Sequence, residues 1–248
     1  MIAYIIASGL GTRLKEFDPI TPKGLFPIHG IPFMEYLLNE LNDMSNIYIT
    51  SNRENFKAYQ KFIDNYSIRY SIKNIGLFEI FGSFDDVLFN LDNLIKPTEA
   101  VCLCCCDNIA VLKYRLASFE NDIITDKYDQ IIISPKIKNW YKYGVLTISD
   151  DKSYVTSFKH NNTISEKEKN MNDEMYIDGG ITITCHDFVN KIKNGGGFEK
   201  YMEKSLLSKR VGYYEPMAWF DIGNMESYND TCQSSLFQKY FNKGKVSE

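Results

Sequence analysis

Apolar positions along the chain follow two alternating rhythms. Residues Ile2–Ala7 ("IAYIIA") run without a polar break, the pattern of a strand covered on both faces. "NIYITS", "VCLCCCD" and "DQIIISP" supply further strand candidates of this kind. Between them the spacing changes to the helical period. Phe33, Tyr36, Leu37 and Leu41 share one face, a second helix is predicted over "ENFKAYQKFI", and a third, beginning near Asp85, carries Val87, Leu88 and Leu91. Strands alternating with amphipathic helices predict an α/β fold with a doubly wound, mostly parallel sheet. Ligands of such sheets lie beyond the carboxyl ends of the strands, where the segment after Ala7 and Asp107 both fall.

The second half reads differently. "YGVLTISDDKSYVTSF" predicts two strands joined by a turn at Asp150-Asp151-Lys152, an antiparallel extension to the parallel sheet. "TISEKEKNMNDE" reads as a polar surface loop, "YIDGGITIT" as one strand and "WFDIGNMESY" as a loop opening a helix. From Ser234 a short helix is predicted with Leu236, Tyr240 and Phe241 on one side. No repeat or clear linker divides the chain, so one domain is expected over residues 1–248, with a first half at 1–135 and a second at 136–248 that ends in this helix.

Composition narrows the classes without naming one. Hydrophobic residues make up 44% and the formal net charge is −4, which gives no basic footprint for nucleic acid. The six cysteines include three in a row, Cys104 to Cys106, which cannot pair with each other along a strand. Cys102 and Cys105 form a CxxC with no second pair at zinc spacing, so the cysteines read as small core residues of a reducing compartment. The opening apolar run lacks a charged leader and breaks at Gly9-Leu10-Gly11, which predicts neither signal peptide nor membrane span and a cytoplasmic location.

The candidate chemistry begins in "ASGLGTRLKEFDPITPKGLFPIHGIPF", residues 7–33. Glycines after a strand let backbone N–H groups approach phosphate oxygens, Arg13 offers bidentate contacts, and Lys23 offers a mobile point charge. A dinucleotide fingerprint would need glycine where Leu14 stands, and a Walker loop would need Gly-Lys-Ser/Thr. A plain strand-to-helix turn with two surface cations also fits a bare Gly-x-Gly-x-Arg; the extension through Pro22-Lys23 favours phosphate binding.

With Gly9, Gly11, Arg13, Leu14, Pro22, Lys23, Pro27, Gly30 and Pro32 in step, the segment resembles the signature of the sugar-phosphate nucleotidyltransferases. Glu16 and Asp18 depart from it, replacing a usual proline and threonine. Further segments follow in the family's order. "FGSFDDVLFNL" resembles its Gly-Thr loop, "CCCDN" its strand ending in Gly-Asp, "YGVLTISDDKSYVTSF" its Tyr-Gly-Val strand pair, "YIDGGITIT" its Asn-Ala-Gly-Ile, and "WFDIGNMESY" its Trp-x-Asp-Ile-Gly.

The resemblance implies a Rossmann-like sheet of the nucleotide-diphospho-sugar transferase type, with a nucleotide-binding first half and an acceptor-binding second half. It implies Mg²⁺-dependent transfer of a nucleotidyl group from a nucleoside triphosphate to a sugar phosphate, giving an NDP-sugar for surface polysaccharide. By the same resemblance, Arg13 and Lys23 are catalytic, and Ser8, Gly9, Leu10, Gly11, Thr12, Lys73, Gly82 and Ser83 bind the nucleotide. Asp107 and Asp221 hold the metal, and Gly144, Lys159, Asp178 and Gly179 face the acceptor. Without it, Asp107 reads first as a helix cap and Asp221 as a loop carboxylate rather than as metal ligands. Phe158 and Tyr228 read as packing residues, and His29 and His186 as surface or satisfied residues rather than ligands.

Two substrate-reading positions break the pattern. The family's Phe-x-Glu-Lys-Pro, whose glutamate and lysine contact the acceptor, is here Phe158-Lys159-His160-Asn161-Asn162. A base-reading glutamine is absent near Lys73 and Asn74, which leaves the base open. "PFMEYLL" and "DGGITIT" resemble the heptose- and mannose-phosphate guanylyltransferases. The altered acceptor stretch also admits a cytidylyltransferase acting on a non-sugar phosphate such as phosphocholine. A catalytically silent nucleotide-binding protein and, last, a nicotinamide-dependent oxidoreductase complete the alternatives. The expected partners are a nucleoside triphosphate and a phosphorylated small molecule, with neither nucleic acid nor membrane; homo-oligomerisation stays open.

Overall fold

The computed structural model describes residues 1–70, 74–80, 84–94, 96, 99–125, 127–170, 173–185, 198–207 and 210–241. The strands among these described residues are, in chain order, β1 (Ile2–Ala7), β2 (Pro27–Ile28), β3 (Ile31–Pro32), β4 (Ile47–Ser51), β5 (Ile75–Glu79), β6 (Ala100–Cys105), β7 (Asn108–Val111), β8 (Gln130–Ile133), β9 (Lys136–Ile137), β10 (Val145–Ile148), β11 (Val155–Lys159), β12 (Met175–Ile177), β13 (Ile181–Cys185), β14 (Val211–Tyr214) and β15 (Ala218–Asp221). Seven of them form a sheet in the order β14-β8-β13-β6-β1-β4-β5. β1 lies parallel to β4 and β6, β4 to β5, and β8 to β14; β13 alone runs antiparallel, between β6 and β8.

The uninterrupted apolar runs are explained by the two layers that cover this sheet. Along β1, Ala3, Ile5 and Ala7 join one core with Leu37, Leu38 and Tyr59 from the helices Phe33–Glu40 and Arg53–Tyr70. Ile2 and Tyr4 point to the opposite core, with Val87, Leu91 and Met202 from the helices Phe84–Leu94 and Phe198–Leu207. The period of two continues along β6: Cys102 and Cys104 share the first core, their sulfurs 3.5 Å apart, while Val101 and Leu103 take the second. Cys102 and Cys105 therefore fall on opposite faces, and no disulfide joins cysteines among the described residues.

Four strands form a second sheet, β11-β10-β12-β9, and β15 pairs with β7 in a two-stranded ribbon. "YIDGGITIT" is two strands rather than one: β12 ends in the small sheet and β13 enters the large one, with the break at Asp178-Gly179-Gly180. The turn is possible because Gly180 has φ +74, and a Cβ at Gly179 would lie 2.5 Å from the Ile133 carbonyl oxygen. "WFD" likewise forms β15 rather than a loop, since its alternating residues pack inward as Ala218 and Phe220. Within the polar stretch expected as a loop, Glu166–Lys169 form a helical turn capped reciprocally by Ser165 and Glu168.

The last described helix spans Ser235–Phe241; Tyr240 and Phe241 pack against the core as expected, but Leu236 does not. Leu236 is exposed, and Phe237 is fully buried with ring contacts to Tyr36, Phe220 and Phe241. These rings attach the helix to the strand that ends in Asp221. Phe237→Ala leaves a cavity there, and we expect a loss of about 3–5 kcal/mol of unfolding free energy in urea titrations. A loss below 1 kcal/mol would mean that the helix is not part of the cooperative unit.

Candidate active site

The segment after β1 turns sharply because Gly11 adopts φ 62 and opens the short helix Thr12–Lys15. The Asn52 side-chain amide donates to the carbonyl oxygens of Ser8 (3.1 Å) and Gly9 (3.4 Å), fixing the first bend of the loop. Asp18, whose charge had no role in the sequence pattern, accepts from the backbone N–H groups of Ile20 (2.9 Å) and Thr21 (3.1 Å). Its carboxylate shapes the turn that leads into Pro22-Lys23, and the hydrogen bonds from Thr21 and Ile20 hold its pKa below the usual range. Lys23 then begins a 3₁₀ turn whose Gly24 N–H donates to the Tyr59 hydroxyl.

The acidic side is built by the ribbon. β6 ends at Cys105, Asp107 occupies the tight turn to β7, and no helix follows that it could cap. Across the ribbon Asp221 is the register partner of Asn108, and the Ile222 N–H donates to the Asp107 carbonyl oxygen at 2.9 Å. Two aspartates distant in sequence thus become neighbours through backbone pairing. Asn224, not Asp221, caps the helix Met225–Gln233, which leaves the Asp221 carboxylate to the site.

A cavity of about 340 Å³ opens between these parts. Arg13, Asp107, Gly144, Asp178 and Asp221 line it, together with Lys142, Tyr143, Phe158, His160 and Asn161. Lys23 reaches the same place by pairing its ammonium with the Asp107 carboxylate. Burial opposes the lysine charge, but Asp107 and Asp221 outweigh it and raise the pKa above the ordinary lysine value. Asp221 is itself pushed up, first by burial and then by the Asp107 charge. It accepts from the Tyr143 hydroxyl (3.1 Å) and the Asn108 amide (3.3 Å). Burial and the Asp221 carboxylate raise the Tyr143 pKa far above neutrality, so this hydroxyl remains a donor.

The opposite wall comes from the small sheet. Phe158 packs its ring over Gly144, where a Cβ would approach the ring to 2.3 Å, and the same ring faces the cavity. Asp178 accepts from the Gly180 N–H at 2.9 Å, while its own N–H donates to the Gly144 carbonyl oxygen. Lys159 is not among the lining residues; its ammonium is paired with Glu168. Tyr228 lies outside as a packing residue, donating to the Pro27 carbonyl oxygen with its ring edge-on to Phe26.

Three expected nucleotide-binding residues, Lys73, Gly82 and Ser83, lie outside the described residues, as does His186. Asn74 is described, and its amide donates to the carbonyls of Met44 and Ser45 at the amino end of β5, away from the carboxyl edge where the cavity opens. Sequence reasoning missed Asn108, Lys142 and Asn224 as lining residues. Asn108 could have been found from its place beside Asp107 in "CCCDN", and Lys142 from its place before Tyr143-Gly144.

The arrangement is two neighbouring carboxylates at one end, an arginine and a lysine beside them, and a mixed polar and aromatic wall opposite. Among the described residues no group of three or more His, Cys, Asp or Glu could enclose a metal. The chemistry of the donors nevertheless fits a hard divalent cation that completes its shell with water and substrate phosphates, for which two carboxylates suffice.

Desolvation in the cavity wall pushes the Asp178 pKa up to about 6 from 3.8, against the hydrogen bond from Gly180. Above pH 6 the folded chain carries a charge that burial disfavours, so this group weakens the fold there. As pH falls from 6 toward 4 the folded state takes up the proton first and the penalty disappears. Asp178→Asn is therefore expected to raise Tm at pH 7.5 and to lose that gain progressively by pH 4.5 in thermal scans. An equal gain at both pH values would contradict this account.

Comparison with known proteins identifies the family and the fold. The nucleotidyl transferase family matches residues 2–236. A D-glycero-alpha-D-manno-heptose 1-phosphate guanylyltransferase of Aneurinibacillus thermoaerophilus is 28% identical over 236 residues, covering 92% of this chain and 95% of that protein. The bifunctional protein GlmU of Methanococcus maripaludis is 27% identical over 184 residues, 73% of this chain but 39% of the longer relative. Among solved structures, HddC from Yersinia pseudotuberculosis superposes with TM-score 0.70 at 19% identity, covering 93% of this chain and 97% of that one, which supports the shared fold. By its sequence match, this chain belongs to the nucleotidyl transferase family.

Proposed function

We propose that the chain transfers a nucleoside monophosphate from a triphosphate to the phosphate of an aldose 1-phosphate, releasing pyrophosphate. The observation that carries this reading is the convergence of Asp107 and Asp221 with Arg13 and Lys23 on one cavity whose far wall is a separate sheet. Such a cavity has an anion-binding end and a second compartment for an acceptor. Guanosine triphosphate and a heptose or mannose 1-phosphate are the first pair to consider, because the guanylyltransferase relative is matched over 95% of its own length.

The reaction needs no activated nucleophile. A phosphate monoester has a second pKa of about 6, so its oxygen is already anionic at neutral pH. That oxygen attacks the α-phosphorus, a new P–O bond forms, and the bond to the β-phosphate oxygen breaks with its electrons leaving on pyrophosphate. The difficulty is to bring two polyanions together in line. Backbone N–H groups of Leu10 to Thr12 cradle the triphosphate after Ser8 and Gly9, and Arg13 holds the departing pyrophosphate. Lys23, kept protonated and fixed by Asp107, neutralises charge at the α-phosphate. Asp107 and Asp221 hold Mg²⁺, which when bound supplies Lewis-acid neutralisation of phosphate oxygens. Gly144, Asp178 and Gly179 shape the acceptor side, Gly179 by admitting the close approach of the Ile133 carbonyl.

Pyrophosphate release should appear when four nucleoside triphosphates are screened against hexose, heptose and amino-alcohol phosphates, with the highest rate for a guanosine triphosphate and aldose 1-phosphate pair and none in EDTA. Silence across the whole screen would reject the enzyme reading, and a phosphocholine product would move the acceptor to the non-sugar class. Lys23→Ala is expected to lower kcat/KM by roughly 10²–10³-fold, as loss of a preorganised charge does. An unchanged rate would remove Lys23 from the mechanism.

A further inference from the structure

The acceptor in this reading brings a second phosphate to a cavity that already holds a triphosphate, so its own charge must be met on the acceptor side. Among the described residues, Arg13 and Lys142 line the cavity, and Lys23 reaches its acidic end through Asp107. Arg13 projects from the glycine loop, at the triphosphate end. Lys159, which stands nearer the expected position in sequence, is not among the lining residues and pairs with Glu168 on the neighbouring helical turn. We infer that Lys142 binds the acceptor's phosphate, an inference that rests on the nucleotidyl-transfer reading above.

The geometry around Lys142 suits that task. It ends the 3₁₀ turn Trp140–Lys142, and its carbonyl oxygen accepts from the Asn161 side-chain amide at 3.0 Å. The next residue, Tyr143, donates to Asp221. The backbone carrying Lys142 is therefore tied on one side to the acceptor wall and on the other to the carboxylate end. Asn161 stands where a family lysine would, and here it anchors the segment that presents a lysine from another strand connection.

Lys142 is also held in reserve by an exchangeable partner. Its ammonium lies 2.6 Å from Glu226, whose side chain is 61% exposed, at the boundary with an adjoining cavity of about 370 Å³ that Lys142 also lines. An exposed ion pair of this kind is screened and weak. A phosphate dianion in the drier cavity offers stronger, charge-assisted hydrogen bonds, so exchanging Glu226 for phosphate costs little. The side chain thus has two stations, the rim carboxylate without acceptor and the acceptor phosphate with it.

Steady-state pyrophosphate release with the best substrate pair of the wild-type screen tests the assignment. Lys142→Ala should raise the acceptor KM about tenfold to a hundredfold, the range of a lost charge-assisted hydrogen bond, while the triphosphate KM stays within about twofold. Lys142→Arg should restore most of the affinity, and Glu226→Gln should leave acceptor KM equal or lower. An equal rise in both KM values, or a rise in Lys159→Ala in place of Lys142→Ala, would overturn it. Phosphate binding is read apart from turnover by calorimetric titration with inorganic phosphate. Binding lost in Lys142→Ala but kept in Lys159→Ala supports the site even if no substrate pair reacts, and binding unchanged in Lys142→Ala overturns it. Thermal unfolding of each variant at wild-type Tm separates these effects from misfolding.

Discussion

The site depends on holding two carboxylates side by side in a partly dry cavity. Asp107 and Asp221 repel one another, and burial adds to the cost, as the raised pKa of Asp221 records. What makes the arrangement tenable is a counter-charge from Lys23 and neutral donors to Asp221, Tyr143 and Asn108 among them. The register of β7 with β15 fixes the pair, because Asp221 cannot retreat without breaking the ribbon that also packs Phe220 into the core. The rest of the architecture can be read as support for that ribbon.

Support arrives from both ends of the chain. The glycine loop follows a strand in the middle of the large sheet, and its bends are fixed by Asn52 after β4 and by Asp18 within the loop itself. Phe237, near the end of the described chain, presses on Phe220 and Tyr36. Stability and chemistry are therefore joined through aromatic packing rather than through a separate scaffold.

Much of this was legible in sequence because uninterrupted apolar runs and helical spacing report two-sided burial directly. Ala3 and Ile5 facing one core while Ile2 and Tyr4 face the other is the physical content of "IAYIIA". Residues such as Arg13, Lys23, Asp107 and Asp221 were legible because their motifs are short and ordered. What local pattern could not disclose was sheet membership. Nothing in "YIDGGITIT" states that its halves belong to different sheets, since both sides of the glycine pair have strand propensity. Lys142 and Lys159 were similarly indistinguishable: which lysine enters the cavity is decided by Glu168 and Asn161, one drawing Lys159 away and the other anchoring the turn that carries Lys142. Phe237 was passed over for Leu236 because a seven-residue helix gives too few turns to fix its face.

The crossing at Asp178-Gly179-Gly180 has a mechanical corollary. Only these residues join β12 in the small sheet to β13 in the large one, and Gly179 is pressed against Ile133 while Gly180 abuts Asn108. A joint so short and so tightly seated transmits force without slack. Swinging one sheet from the other would strain the Gly179 N–H bond to the Ile133 carbonyl and the Cys105 N–H bond to the Gly180 carbonyl, two residues from Asp107, so the cavity cannot widen at this joint without disturbing its acidic end.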